Sequence, residues 1–385
     1  MRQIMWAVAA LGLALVLQVA VQQHQPTDLN TLAAVAAFGK SDPTTVLAGK
    51  SAVITGTTSG IGEAIAVSLL SLGATVYGVA RSETKLKAFA IAHSNLSGSF
   101  KPVVGELSDF DSVTRAINDI IADVGEGGSL DYLVNNAGFH HGGPFQLMKL
   151  DTTTKSGFDS CFVVNYMSHV LITERLLPLL EKGSDPRVVQ VSSSYHWQSN
   201  AAMLKVGAAG IPFAADGSAR DFTQRRLAYG NTKLAQILHA RALTKAKAGT
   251  NVKFVSICPA WVGTSIAPEG LMRAGLKAFA FTPEQGIYSA MSALFRPEIR
   301  SGDFVANSNL IASLPILKRI LTSQFASVTA TEVRTSLTDA FAMVLMAYQK
   351  HDFGYYVQES SPESYDEAVG DELHAWTLSA LKPWL

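Results

Sequence analysis

The sequence predicts an α/β protein with a single domain, built on a doubly wound and mostly parallel sheet. Two observations support this prediction. Short apolar runs suited to buried strands alternate along the chain with longer stretches of helical apolar spacing. The first apolar run, Ser51–Thr55, is followed at once by a glycine-rich turn and then by an apolar helix pattern. Strands buried on both faces and joined by crossover helices are typical of parallel sheets.

The glycine-rich turn at residues 55–62 reads TGTTSGIG. Gly56 permits the tight turn, Gly60 lets backbone amides approach a diphosphate, and Gly62 lets the helix pack close to the strand. The helix N-terminus offers N–H groups and the positive end of its dipole to phosphates. We therefore expect a dinucleotide site, although a match of this kind standing alone would fit a surface turn equally well. The predicted contacts are Gly56, Thr58, Ser59, Gly60, Ile61 and Gly62.

The next predicted strand, Thr75–Ala80, indicates which dinucleotide is bound. Proteins that bind NAD usually carry Asp or Glu near this strand end to hold the ribose 2′-hydroxyl. This chain has Ala80 there, followed by Arg81, whose guanidinium suits the geometry of a 2′-phosphate. NADP(H) is therefore favoured over NAD(H), with an ordinary solvated arginine as the alternative interpretation.

Tyr229 and Lys233 lie one helical turn apart in a stretch whose apolar spacing predicts a long helix. A free tyrosine has a pKa of about 10. A neighbouring ammonium favours the phenolate and is expected to lower the pKa of Tyr229. The phenol would then act as a general acid or base near neutral pH. A pair with this spacing but no other motif would more often be an exposed helix face.

The motifs TGTTSGIG, NNAG at 135–138, SS at 192–193 and YGNTK at 229–233 occur in the order seen in the short-chain dehydrogenase/reductase family. The chain resembles this family over roughly residues 49–307. The resemblance implies a Rossmann fold and hydride transfer between the nicotinamide ring and a carbonyl carbon. Tyr229 would exchange a proton with the carbonyl oxygen, and no metal is required. The nine histidines also show no metal-ligand spacing.

The same resemblance implies roles for further polar residues. Ser193 would stabilise the substrate oxygen, with Ser192 as its rival. Asn165 would interrupt a central helix and anchor a water beside Lys233, or would be structural only. The remaining implied cofactor contacts are Glu106 and Leu107 near the adenine, Asn136, Ala137 and Gly138 at a central strand end, and Pro259, Val262 and Thr264 at the nicotinamide. The chain has Ala260 where the family pattern has glycine, and we expect His140 and His141 to be a solvated loop pair.

The loop before the catalytic helix and the stretch 228–235 resemble the retinol-dehydrogenase-like and WW-domain-oxidoreductase-like branch, without a WW domain. Two apolar insertions, at about 195–227 and 310–358, exceed the minimal fold. Together they suggest a small lipophilic substrate of retinoid, steroid or lipid type. A non-catalytic scaffold that binds NADPH is the alternative, and the intact Ser193, Tyr229 and Lys233 argue against it.

Residues 4–21 are nearly all apolar, interrupted by Gln18. A helix of this length spans about 27 Å, which is marginal for a bilayer core of about 30 Å. We predict an uncleaved anchor. A cleaved signal peptide is the alternative. It is less favoured because Gln18 fits poorly at the −3 position of a cleavage site after Ala20. Residues 22–48 would then be a tether and 49–385 the catalytic domain. An endoplasmic reticulum or other endomembrane location follows, with secretion as the runner-up.

Composition excludes some other functions. The chain of 385 residues carries 31 basic and 31 acidic side chains, a balance that gives no support to nucleic-acid binding. Its two cysteines, Cys161 and Cys258, fall in a predicted helix and a predicted buried strand. We expect them to be free core residues rather than a disulfide.

Overall fold

The computed structural model describes residues 42–140, 154–199, 201–205, 222–264, 280–308 and 355–385. The strands are β1 (Ser51–Thr55), β2 (Thr75–Ala80), β3 (Ser99–Val104), β4 (Tyr132–Asn135), β5 (Arg187–Val191), β6 (Lys253–Cys258), β7 (Phe304–Ala306) and β8 (Tyr356–Val357). The α-helices are α1 (Gly60–Ser71), α2 (Glu83–Ala92), α3 (Phe110–Val124), α4 (Ser160–Phe162), α5 (Ser168–Leu180), α6 (Phe222–Ala246), α7 (Pro283–Gly286), α8 (Tyr288–Phe295) and α9 (Glu367–Leu381).

These strands form one sheet in the order β3-β2-β1-β4-β5-β6-β7-β8. Every pairing is parallel except that of β7 with β8, which is antiparallel. The order runs outward in both directions from the β1–β4 pair, so the chain reverses its progression across the sheet there. Ligands of doubly wound sheets bind outside the carboxyl ends of the strands at such a switch point. We therefore expect the ligand to bind beside the segments that follow β1 and β4.

Apolar side chains from both faces of the sheet form two cores, as strand periodicity requires. Val53 points into one core, whereas its neighbours Ala52 and Ile54 point into the other. The first core packs the sheet against α3, α5, α6 and α9, and the second packs it against α1, α2 and α8. Helix α6, which carries Tyr229 and Lys233, thus lies on one face together with α5, and α1 lies on the opposite face.

The predicted strands Ser51–Thr55 and Thr75–Ala80 coincide with β1 and β2, and the mostly parallel sheet confirms the doubly wound prediction. The packed unit begins earlier than residue 49, because Val46 and Leu47 are buried and Leu47 N–H donates to Leu72 O at 2.7 Å. The predicted anchor at 4–21 and most of the insertion at 310–358 lie outside the described residues, as do residues 206–221. Within the ranges described, no helix is both long and apolar enough to cross a membrane.

Candidate active site

The glycine turn after β1 is fastened to the strand end after β4. Thr55 Oγ1 accepts hydrogen bonds from the N–H groups of Asn136 and Ala137, both at 2.9 Å. Asn136 Nδ2 donates to Thr55 O at 2.8 Å. A Cβ added to Gly62 would lie 2.2 Å from Gly56 O and 2.4 Å from Asn136 Nδ2, so only glycine fits there. Asn136 and Ala137 thus join the end of β4 to the end of β1 and hold the turn in place.

The N-terminus of α1 faces this turn with unpaired amide groups. Ser59 is its N-cap residue, but the Ser59 side chain makes no capping hydrogen bond. Gly60 has a φ of 61°, in the left-handed region that favours glycine. Thr264 lies directly beside it, because a Cβ on Gly60 would be 3.1 Å from Thr264 Cγ2. The first turn of α1 can therefore accept a diphosphate, with the segment after β6 alongside it.

The other predicted cofactor residues lie at the same edge of the sheet. Arg81 is exposed at the carboxyl end of β2. Glu106 follows β3, and its Oε1 accepts hydrogen bonds from Ser108 N at 3.1 Å and from Ser108 Oγ at 3.0 Å. Leu107 is buried in the core, and its carbonyl accepts from Ser168 Oγ at 2.6 Å. Arg81 is thus placed for a ligand, whereas Leu107 mainly packs the fold.

Ala260 shows how the chain accommodates its departure from the family's glycine. Its φ is 61°, and within the described ranges it is the single non-glycine residue with positive φ. An L-residue in this region carries a strain of roughly 1–2 kcal/mol. The turn is held by neighbours: Asn307 Nδ2 donates to Pro259 O at 3.2 Å, and Val262 pairs with Phe281. The glycine-like turn is therefore kept at an energetic cost.

Tyr229 and Ser193 meet through their side chains at the centre of the site. Tyr229, on α6, is buried, and the hydroxyl of Ser193 after β5 lies close enough to its phenol to interact with it. Ser192 points elsewhere, because its hydroxyl donates to Lys233 O at 2.8 Å. The geometry therefore favours Ser193 over Ser192 as the residue that contacts a substrate oxygen.

Lys233 is buried one turn further along α6. Its ammonium donates to Val191 O at 2.8 Å and to Gln236 Oε1 at 3.0 Å. It lies 5.5 Å from the centroid of the Tyr229 ring and 3.6 Å from the position of a Cβ on Gly138. Burial lowers the pKa of Lys233 to about 8. The side chain is thus still mainly an ammonium at neutral pH and stands between the phenol and the end of β4.

The protonation of Tyr229 differs from the sequence prediction. Burial raises the pKa of its phenol above the ordinary value, and the hydrogen bond to Ser193 opposes this only in part. The predicted lowering by Lys233 is wrong in net direction, because burial outweighs an ammonium that is directed at Val191 and Gln236. Tyr229 is therefore a protonated phenol at neutral pH, which suits it to donate a proton.

Asn165 lies where the helix changes its winding. A π-helical turn, Val163–Met167, separates α4 from α5, as the predicted interruption requires. Asn165 Nδ2 donates to Phe139 O at 3.1 Å and to Thr232 Oγ1 at 3.1 Å, and its Oδ1 accepts from Phe139 N at 3.0 Å. Asn165 thereby ties the chain after β4 to the catalytic helix α6. A water-anchoring role remains a prediction.

Sequence reasoning missed His169, which links Asn165 to the glycine turn. Its Nε2 lies 3.0 Å from Thr55 Oγ1, and its Nδ1 lies 3.0 Å from Asn165 O. Thr55 Oγ1 already accepts two amide hydrogens, so its own proton goes to His169 Nε2, and Nδ1–H then donates to Asn165 O. Burial lowers the pKa of His169 to about 3, in keeping with a neutral ring. The spacing of Asn165 and His169, four residues apart on a helix, was the available signal.

His140 and Tyr195 also border the site. The His140 ring packs edge-on against Tyr229 with 4.7 Å between centroids, and Tyr195 does so at 5.4 Å. The expectation that His140 belongs to a solvated loop pair is therefore wrong, because the loop after β4 folds back over the phenol. His141 lies outside the described residues. Cys161 and Cys258 are buried and free, as predicted.

Residues 50–211 match the sequence profile of the short chain dehydrogenase family. An uncharacterized oxidoreductase of Schizosaccharomyces pombe is 31% identical over 268 residues, which are 66% of this chain and 74% of that protein. Human retinol dehydrogenase 14 is 30% identical over 274 residues, which are 65% of this chain and 75% of that protein. A crystal structure of an uncharacterized protein from Mycobacterium paratuberculosis shares the fold, with a TM-score of 0.59, 23% identity and coverage of 87% of this chain and 94% of that one.

Proposed function

The chain belongs to the short chain dehydrogenase family of NAD(P)-dependent oxidoreductases, in its retinol-dehydrogenase-like branch, and we propose that it uses NADP(H) to interconvert an alcohol and a carbonyl on a small lipophilic substrate. One observation supports the chemistry most directly. The buried Tyr229 phenol lies beside the Ser193 hydroxyl, and Lys233 is buried one turn further along the same helix. This group lies at the carboxyl edge of the sheet, where the glycine turn is also found.

In this proposal, Tyr229 donates its proton to the carbonyl oxygen during reduction, and Ser193 donates a hydrogen bond to the same oxygen. Both hydroxyls then act where negative charge develops. The Lys233 ammonium favours the phenolate that Tyr229 becomes, and Asn165 anchors a water that returns the proton. Bound NADPH supplies the hydride. The N-terminus of α1 would hold its diphosphate, Glu106 and Leu107 would lie near its adenine, and Thr264 would contact its carboxamide.

The ammonium of Lys233 gives the reaction a pH dependence. Its pKa is lowered to about 8 by burial, so the charge is present below that pH and is lost above it. With NADPH saturating, we expect kcat/KM for carbonyl reduction to be constant below about pH 7 and to fall roughly tenfold per pH unit above about pH 8. A pH–rate profile measures this. Lys233→Ala is the control, since it should be slow at every pH and lack this limb. A wild-type rate that stays flat to pH 10 would contradict the assigned role.

Arg81 is proposed to select NADPH over NADH. The exposed guanidinium at the end of β2 can pair with a 2′-phosphate, which only NADPH carries. A charge-assisted hydrogen bond contributes about 1.5–3 kcal/mol. Arg81→Ala should therefore reduce the preference for NADPH roughly ten- to a hundredfold, by weakening NADPH and leaving NADH almost unchanged. Fluorescence titration of both cofactors measures this, with Lys85→Ala as the control for a nearby positive charge. Equal weakening of both cofactors would exclude Arg81 as the discriminating residue.

The lipophilic character of the proposed substrate has two sources of support. It rests on the apolar insertions of the sequence and on the similarity to a relative named retinol dehydrogenase. The decisive experiment is turnover by the purified protein with NADPH across a panel of retinoid, steroid and aliphatic carbonyls. We expect the lipophilic members to give the highest kcat/KM. Absence of turnover with every carbonyl, together with tight NADPH binding, would favour the non-catalytic scaffold.

Membrane attachment through residues 4–21 is proposed from their apolar sequence. We expect the full-length protein to remain in the membrane pellet after carbonate washing, because an apolar helix of this kind does not leave the bilayer at high pH. A variant lacking residues 2–21 is the control and should be released. Release of the intact chain would exclude the anchor, whereas release of a chain that starts near Val21 would identify a signal peptide.

A further inference from the structure

Three potential metal ligands lie close together on the face of the sheet that α5, α6 and α9 cover. None of them is a residue assigned to catalysis. Glu174 lies on α5, His239 on α6 and His374 on α9. Each offers one ligand atom, and these atoms all lie within 4.8 Å of one another. The three residues come from distant parts of the sequence. The spacing of histidines along the sequence therefore does not indicate this cluster.

Each of these side chains has a buried polar atom that lacks a hydrogen-bond partner among the described residues. The atoms are Glu174 Oε1, His239 Nε2 and His374 Nδ1. His374 Nε2 lies 3.7 Å from Glu174 Oε1, which is too long for a hydrogen bond. Buried polar atoms of native proteins almost always have a partner. All three side chains thus hold a buried polar atom without a partner, and one potential ligand atom from each lies within 4.8 Å of the others, which points to a shared ligand.

The exposure of the three residues suits an ion that must enter from solvent. His239 is 1% exposed, whereas the side chains of His374 and Glu174 are 14% and 16% exposed. His239 is thus enclosed, whereas the side chains of His374 and Glu174 remain in partial contact with solvent. All three side chains are therefore largely removed from bulk water. A cation would offset the cost of the buried Glu174 carboxylate.

His239 also has a partner of the kind that orients metal-binding imidazoles. Its Nδ1 lies 3.2 Å from Nε2 of Gln190 on β5, so the amide as placed donates to Nδ1. Metal binding at Nε2 requires the proton on Nδ1, and the carboxamide then turns by half a rotation so that its oxygen accepts that proton. Gln190 Oε1 otherwise has no partner among the described residues. On the other side, the Tyr166 ring packs edge-on against His239, with 6.0 Å between centroids.

We propose that Glu174, His239 and His374 bind a divalent transition-metal ion of the zinc type, with water completing a four-coordinate site. Two imidazoles and one carboxylate form a donor set that such ions take readily. The ion joins α5, α6 and α9. It therefore fastens the C-terminal helix to the helix that follows Asn165 and to the helix that carries Tyr229. Its role is structural, because no ligand belongs to the set that contacts substrate or cofactor.

The test uses the full-length protein, stripped by a chelator and reloaded with Co²⁺, whose d–d absorption reports four-coordinate binding. We expect one Co²⁺ per chain, displaced by Zn²⁺, and a rise in unfolding temperature on adding Zn²⁺. Glu174→Gln, which keeps the side-chain shape, and His374→Gln should each weaken binding by more than about 100-fold. Gln190→Leu should weaken it by about 10–100-fold, as loss of an orienting partner does. His93→Gln, at a histidine outside the cluster, should bind as the wild type does.

Absence of the Co²⁺ band and of bound Zn²⁺ in the wild type would overturn the proposal. The same conclusion would follow if Glu174→Gln and His374→Gln bound the ion as tightly as the wild type, because the ion would then lie elsewhere. Glu174→Gln also covers the case in which a histidine variant fails to fold, since the isosteric amide preserves the packing of α5. None of these readouts depends on turnover, so the result stands whether or not the proposed oxidoreductase activity is found.

Discussion

Replacing Tyr229 with phenylalanine is expected to lower kcat for carbonyl reduction by about 10²–10⁴-fold, the usual contribution of a general acid. The substitution removes only the hydroxyl, which lies beside Ser193. The remaining ring still packs against His140 and Tyr195, whose centroids lie 4.7 Å and 5.4 Å away. The fold and the affinity for NADPH should therefore be kept while the transferable proton is lost.

Steady-state kinetics and NADPH titration of the same preparation separate these effects. Tyr132→Phe is the matched control, because Tyr132 is also buried but lies on β4 with its ring against Phe295, at 5.7 Å between centroids. That variant should keep wild-type turnover. Turnover within a few-fold of wild type in Tyr229→Phe would refute the mechanism. Loss of NADPH binding would show instead that the hydroxyl acts on the cofactor.

The parts of this site that could be predicted from the sequence depend on short-range patterns. A buried strand such as Ser51–Thr55 is defined by its own apolar run, and a turn such as residues 55–62 by its own glycines. The order of such units then suffices to place their ends at one edge of a doubly wound sheet. The pairing of Tyr229 with Lys233 could be predicted equally well from the sequence, because one helical turn fixes their separation.

The parts that could not be predicted depend on which distant groups meet. The sequence left Ser192 and Ser193 as rivals, and the choice rests on the bond from the Ser192 hydroxyl to Lys233 O on α6. The pKa of Tyr229 was predicted in the wrong direction, because pairing with Lys233 was visible but burial was not. Ala260 is a similar case. The surrounding turn imposes a positive φ on Ala260, whereas an alanine by itself prefers a negative φ.

The bond from His169 to Asn165 gives the cofactor turn and the catalytic helix a physical connection. Thr55, one residue before Gly56, is bonded to His169, whose other nitrogen is bonded to Asn165 O. Asn165 in turn is bonded to Thr232, the neighbour of Lys233. A displacement of the glycine turn would thus be transmitted to the residues beside the ammonium. Damage to the turn should therefore affect both cofactor binding and stability.

Gly62→Ala is the substitution that tests this, and we expect it to destabilise the fold by about 2–3 kcal/mol, at the upper end of overpacking effects. The new Cβ would lie 2.2 Å from Gly56 O and 2.4 Å from Asn136 Nδ2. Neither neighbour can retreat easily, because Gly56 N donates to Val79 O at 2.7 Å and Asn136 Nδ2 donates to Thr55 O at 2.8 Å. The strain must then move α1 away from β1.

Urea unfolding measures the stability change from the shift in midpoint at constant m-value, and NADPH titration measures the effect on the site. Gly127→Ala is the matched control, because a Cβ there meets nothing within 4 Å and its backbone is outside the left-handed region. Its effect should stay within about 0.5 kcal/mol. If Gly62→Ala unfolded at the wild-type midpoint and bound NADPH normally, α1 would not need to lie this close to β1. The proposed diphosphate site at its N-terminus would then lose its structural basis.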